Sequence, residues 1–179
     1  MVLGALLERV TGQTWPQLIH TRLVQHWGLR SVGVFPTPES TPESTQGGLE
    51  NGQPEALLDF ASFGASANVY GSAADLLRFD QILLNHGFLS PESRKTLWES
   101  RPEEGFIALG QWAYSVDLCG KSQRIIERRG AIGGVQVRNF LLPDTDTAVV
   151  FFAPEASLEL GELWQGAGRS YEVLKAAVC

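Results

Sequence analysis

The chain has only two cysteines, Cys119 and Cys179, far apart in sequence. That excludes a densely cross-linked small scaffold, while a single bond between them stays open. The three histidines, His20, His26 and His86, share no ligand spacing with each other or with a cysteine. They read as surface or helix-end polarity, and the sequence calls for no metal and no organic cofactor. No Lys/Arg run exceeds the pair Arg128-Arg129, and the net charge is -6. Nucleic-acid binding therefore has no electrostatic footprint. No apolar run approaches the roughly 20 residues of a membrane span. The start, MVLGALLERVTG, lacks a basic leader and a small-residue cleavage site, so it does not read as a signal peptide. With no address in the sequence, the cytoplasm is the default compartment.

What is present suffices for a core. The 179 residues are 44% hydrophobic, which fits one domain. Val2, Leu3, Leu6, Leu7 and Val10 recur at helical spacing and end at Thr11-Gly12. Thr14 and Gln17 make a capping box for a second helix, with Pro16 in its first turn, Trp15, Leu18, Ile19, Leu23 and Trp27 on its apolar side, and Gly28 as its stop. The two helices are expected to form a small layer. From Arg30 to Asp59 the composition shifts to proline and glycine, which predicts a long loop that either lines a cleft or is mobile. Ser72 and Asp75 form another capping box, opening a helix over Leu76 to Leu84; Ser90-Pro91 opens a further one anchored by Leu97 and Trp98.

The rest reads as strands. Ile107 to Leu118 is extended. Ile125 to Arg129 runs into a glycine break at Gly130, Gly133 and Gly134. Val135 to Leu142 follows, then the turn Pro143-Asp144-Thr145-Asp146, and Thr147 to Phe152 returns. The turn accounts for the Asp144 and Asp146 carboxylates. Ala148 to Phe152 is apolar on both faces, which predicts a central place in the sheet. Ser157 is expected to cap a last helix through Val178, weakened by Gly166 and Gly168. The fold class is α+β: a four-stranded antiparallel meander with helices against it. Four segments make up one domain: helical over 1–29, a long loop over 30–60, helical over 61–104, and sheet plus C-terminal helix over 105–179.

Four stretches, in this order, carry a resemblance. They are Val2-Leu3-Gly4 with Glu8 to Thr14, Val69-Tyr70-Gly71-Ser72 through Phe79, Gly87 through Ser93, and Arg129-Gly130-Ala131-Ile132-Gly133-Gly134 before two strands. The chain resembles the serine β-lactamase and penicillin-binding-protein superfamily, nearest the class C-like branch with its D-alanyl-D-alanine carboxypeptidases and esterases. The resemblance implies a hydrolase that acts on an amide, β-lactam or ester through an acyl-serine, with a small acyl or peptide-like ligand. In that family a Ser-x-x-Lys motif supplies the nucleophile, and a Tyr-x-Asn motif helps to move its proton. Neither string occurs in these 179 residues, and family spacing would put both before Met1. The chain is therefore expected to correspond to the C-terminal part of such an enzyme, to be inactive alone, and to offer no catalytic residue of its own.

Candidate substrate-binding residues follow from the same alignment. With Gly130 on the family's final motif glycine, Arg129 stands where Thr, Ser or Gly is usual and Arg128 where Lys or His is usual. An arginine there could hold a substrate carboxylate bidentately. The plainer reading has the two arginines alternating about a strand, one solvated and one paired. The glycines allow either close approach of a ligand or a tight turn. Tyr70 is a cleft-lining candidate or a packing residue. Two other functions stay open: a non-catalytic interaction module, and a hydrolase with a relocated serine such as Ser66 or Ser72. Without the family's N-terminal strands and helix, an exposed sheet edge or groove would invite a homodimer or the missing N-terminal segment. For a full-length relative, the periplasm and the cell exterior are open as well.

Overall fold

Thr11-Gly12 and Thr14-Gln17 punctuate the start of the chain as their chemistry requires. The computed structural model describes residues 2–35, 47–49, 51–54, 59–85, 87–101, 103, 105–132 and 134–179. Most of the expected proline-rich loop, and Gly133, lie outside the described residues. The chain divides into two compact units, one of residues 1–45 and 56–79, the other of residues 46–55 and 80–179.

In the first unit α1 (Val2–Thr11) closes where the Gly12 amide donates to the Glu8 carbonyl at 2.9 Å. The expected layer is not built on the apolar stripe. Val2, Leu3, Leu6, Leu7 and Val10 are all exposed, from 46% to 83%, and the helix is buried only at Gly4. A Cβ at Gly4 would collide with that of Ala65, so α1 packs by backbone approach through its smallest residue. α2 (Trp15–Ile19) keeps the full capping box and then loosens into a π-helical turn over His20–Gln25. β1 (Gly33–Val34) pairs antiparallel with β2 (Val69–Tyr70).

α3 (Ala73–Leu84) starts on a modified cap. Ser72 Oγ accepts from the Asp75 amide at 3.2 Å, as expected. The carboxylate of Asp75 does not reach back to Ser72. It accepts from the Ser31 amide and lies 2.6 Å from the Ser31 hydroxyl, and Ser31 Oγ takes the Ser72 amide at 2.9 Å. These bonds from Ser31 hold Asp75 below the usual carboxylate range. A residue forty-odd positions upstream has entered a box that local sequence defines.

The second unit holds α4 (Pro91–Trp98) and the sheet β3 (Trp112–Leu118), β4 (Lys121–Ile132), β5 (Val135–Leu142) and β6 (Thr147–Ala153), in the spatial order β3-β4-β5-β6. This is the expected meander, with three differences. β3 begins at Trp112 because residues 107–111 fold into a bridged turn, with Ile107 facing Trp112. β4 runs straight through Gly130, which pairs with Val137. β6 is an edge strand, not a central one. Hydropathy reports burial of faces, not the identity of neighbours.

Val116, Leu118, Ile125, Phe140 and Leu142 share one face, and Leu163 and Leu174 cover it to form the buried core. Leu174 belongs to α5 (Arg169–Val178), which is shorter than the sequence suggests. A single turn over Leu163–Gln165 and the positive-φ glycines Gly166 and Gly168 interrupt the expected helix. A disulfide joins Cys119, in the β3–β4 turn, to Cys179 at the end of α5. Spanning 60 residues, it removes unfolded-chain entropy equivalent to about 4 kcal/mol in a loop-closure treatment. Leu174 is wholly buried in this core. Leu174→Ala is expected to lower stability by about 3 kcal/mol in urea unfolding, and a loss under about 1 kcal/mol would contradict the assigned core.

Candidate substrate-lining strand

The residues singled out at Arg128, Arg129 and Gly130 occupy the outgoing half of β4. Alternation separates them. Register places Glu127 beside Phe140 and Arg129 beside Arg138 on the core face, while Arg128 lies beside Asn139 and Gly130 beside Val137 on the opposite face.

The core face does not tolerate a lone charge, and here the charges are balanced. Glu127 is 1% exposed and takes the Tyr114 hydroxyl at 2.5 Å. Arg129 is ion-paired with Glu162 and lies 4.9 Å from the ring centres of both Trp112 and Trp164. Arg138, 7% exposed, donates to the Val137 carbonyl at 3.1 Å. Burial raises the Glu127 carboxyl above its usual range and lowers the Arg138 guanidinium below its own. Burial and then Glu127 raise the Tyr114 phenol as well. Phe106, Tyr114 and Trp164 close the cluster with ring centres 5.6 to 6.2 Å apart. Arg129 is thus held inside a structural network.

The opposite face is open where it matters. Arg128 is exposed, with its guanidinium 5.7 Å from the Trp112 ring centre. A Cβ at Gly130 would meet nothing within 4 Å. Gly134 differs. It has φ +69°, and a Cβ there would strike the backbone of Gly47 and Gly48. Gly48 in turn exchanges hydrogen bonds with Pro154 and Ala156 at 3.1 and 2.9 Å. Gly134 therefore serves a turn packed by the chain itself, whereas Gly130 leaves space.

Tyr70 belongs to the first unit. Its ring lies 4.9 Å from that of Phe35 and covers Gly33, where a Cβ would collide with it. These are packing contacts. The serines considered as relocated nucleophiles are occupied by backbone. Ser66 Oγ donates to the Phe63 carbonyl at 2.5 Å, and Ser72 Oγ caps α3 and meets Ser31. Among the described residues neither has a histidine or lysine among its hydrogen-bond partners. No cluster of three or more His, Cys, Asp or Glu residues that could hold a metal occurs among the described residues.

Sequence reading missed a second feature of the open face. Asp80 of α3 is 1% exposed and accepts from Asn139 Nδ2 at 3.1 Å. Asp80 Oδ2 and Asn139 Oδ1 have no partner among the described residues. Burial raises the Asp80 carboxyl to about 7, against the opposing effect of the Asn139 bond. In the neutral form Asp80 has an O–H to donate, and Asn139 Oδ1 is a buried acceptor still unmet. An aspartate in a helix with apolar neighbours gave the only hint, since helical periodicity puts Asp80 beside Leu76, Leu83 and Leu84. The native state binds more protons than the unfolded one between the ordinary value of 3.8 and about 7. Stability therefore falls as pH rises through that window. Asp80→Asn is expected to flatten this slope and to raise the urea midpoint at about pH 8 relative to wild type. An unchanged slope would show that Asp80 is not the group responsible.

Comparison with known proteins places this geometry. A family model described as Beta-lactamase matches residues 1–159. A D-stereospecific amidohydrolase from Streptomyces sp. superposes with a TM-score of 0.75 at 21% identity, over 98% of this chain and 52% of its own. The octameric penicillin-binding protein homologue from Pyrococcus abyssi gives 0.70 at 17% identity, over 98% of this chain and 39% of its own. D-amino acid amidase from Ochrobactrum anthropi SV3 gives 0.73 at 12% identity, over 99% and 55%. The chain thus spans about half, or less, of these solved structures, and the likeness shows a shared fold. No curated protein matches it. By the family model that runs from its first residue through most of its length, this chain belongs to the β-lactamase family.

Proposed function

We propose that this chain supplies the substrate-lining strand of a serine hydrolase that transfers or hydrolyses an amide, β-lactam or ester acyl group. The observation that carries the reading is the division of labour on β4. Arg129 is half-buried and engaged by Glu162, Trp112 and Trp164, while Arg128 is exposed and the space over Gly130 is open on the other face. Arg128 has the donor geometry to hold a substrate carboxylate, and Gly130 lets an extended substrate approach the backbone. The amidase and penicillin-binding names of the similar structures favour this substrate class. The nucleophile and its base come from a Ser-x-x-Lys and a Tyr-x-Asn segment that these residues do not contain. The Cys119–Cys179 bond favours an oxidising compartment.

The purified chain is expected to form no adduct with a fluorescent penicillin or an activated phosphonate, read by intact mass. A serine of this chain found acylated would overturn the assignment and favour a relocated nucleophile. In any assembly that restores labelling, Arg128→Ala is expected to slow it by about tenfold or more, the loss of one charge-assisted hydrogen bond.

One observation favours assembly as a second role. β6 carries Val149, Val150, Phe151 and Phe152 and no charged side chain, yet it lies at an edge whose outer side pairs with no strand among the described residues. Natural edges are normally blunted by charge, proline or a bulge. The partner is a second copy or the segment that completes the family sheet. Light scattering is expected to give a mass above that of one chain, with Val150→Lys shifting it to the monomer. A monodisperse wild-type monomer would remove this reading.

A further inference from the structure

The bond between Cys119 and Cys179 ties the C-cap of α5 to the β3–β4 turn, and both residues are exposed. The turn carries a sign that the sulfur, not the local backbone, selects residue 119. Cys119 and Gly120 are the two residues between β3 and β4, and both have positive φ, +55° and +72°. A turn of that kind favours Asn-Gly, Asp-Gly or Gly-Gly. Cysteine has neither the freedom of glycine nor the short polar group that eases the left-handed region for Asn and Asp. A strained position held by a bonded sulfur points to a use for the bond.

Apart from that bond, α5 is weakly docked. A helix of ten residues is marginal by itself. Its N-cap is Gly168, at φ +90°, and no side chain caps it. Leu174 is its only fully buried apolar side chain, with Tyr171 and Val178 partly buried against the same core. Its other buried residue works against docking: Ser170 is 0% exposed, and its hydroxyl has no hydrogen-bond partner among the described residues. The Tyr171 hydroxyl donates to the Asp117 carbonyl at 2.9 Å, and the Ser170 amide donates to the Leu160 carbonyl at 2.8 Å. Both of those bonds lie in the first turn. From Lys175 onward the helix is exposed except at Val178, and there the disulfide holds it.

We infer that the Cys119–Cys179 bond is a redox latch on α5. Closed, it pins the helix over the sheet core. Opened by a dithiol, it lets α5 leave while β3 to β6 keep their own ladders. A thiolate of the reductant attacks one sulfur, and the other leaves as a thiolate and takes up a proton. The second thiol of the reductant then displaces the first from the mixed disulfide. The chain gains two electrons and two protons as two thiols, and the reductant becomes a disulfide. Exposed bonds are the ones open to such exchange. The departing helix takes Leu174 with it and uncovers part of the apolar face formed by Val116, Leu118, Ile125, Phe140 and Leu142. The inference is independent of the hydrolase reading.

Native-state amide exchange of the purified chain, followed by NMR with and without dithiothreitol, tests the latch. Without denaturant, the reductant is expected to raise the free-thiol count from none to two. In the oxidised chain the amides of Leu174 to Cys179 are expected to exchange with those of β4 and β5. On reduction the sheet's protection relative to α5 is expected to rise about a hundredfold, since one disulfide no longer holds the helix to the rest. Cys179→Ser is expected to show the same separation without reductant and no response to it. A bond that yields to dithiothreitol only in urea would overturn the inference. So would α5 and sheet losing protection in parallel, which would make the bond a staple of the whole unit. An α5 already separated from the sheet to the same degree in the oxidised chain would overturn it too.

Discussion

The arrangement depends on one constraint: a carboxylate and two guanidiniums sit on the interior face of a β-sheet, where an unpaired charge costs several kcal/mol. Glu127 and Arg138 are almost fully buried, and Arg129 opposes Arg138 across the β4–β5 pair. Two like charges side by side would repel. Glu127 on the strand and Glu162 from the segment before α5 balance them, and Tyr114 uses its hydroxyl on the buried carboxylate. The aromatic rings of Trp112 and Trp164 flank the half-buried Arg129 without offering a competing acceptor. Balanced in charge, though with Arg138 Nε left without a partner among the described residues, the cluster specifies the register of the strand end more than it adds stability, since a well-packed apolar set could fill the same space.

That register has a consequence on the other side of the sheet. Side chains alternate, so fixing Arg129 inward fixes Arg128 and Gly130 outward. The same face carries the Asp80–Asn139 pair, which joins α3 to β5. Burial raises the Asp80 carboxyl there to about 7, which makes stability depend on pH. Buried polar groups of different kinds thus stand on the two faces of the strand pair, an ionic cluster on one and the Asp80–Asn139 pair on the other. Between them runs a strand whose Arg128 is exposed and whose Gly130 has open space beside it.

Much of the fold was legible because the relevant physics is local. Thr14 and Gln17 cap α2, and Pro143 to Asp146 turn between β5 and β6, through contacts within a few residues. What escaped the sequence depended on distant partners. Ser31 enters the α3 cap from more than forty residues away. Apolar spacing located α1 but could not say that Gly4, not the Leu stripe, would be its buried position. The same limit explains β6, whose two apolar faces suggested a central strand and which stands at the edge. Cys119 and Cys179 could not be joined from spacing, because only the packing of α5 on the sheet brings them together. The alternation of Arg128 and Arg129 was readable, but their different fates required Glu162 and Trp164, which lie beyond β6.

The central claim is that β4 turns Arg129 into a closed network and Arg128 out to a free face. Solvent exchange of the arginine Nε–H protons, followed by NMR after assignment of each side chain, tests this directly. The account predicts slow exchange at Arg129 and Arg138 and exchange at the rate of free arginine at Arg128. Fast exchange at Arg129 together with protection at Arg128 would contradict the register and the division of the two arginines built on it.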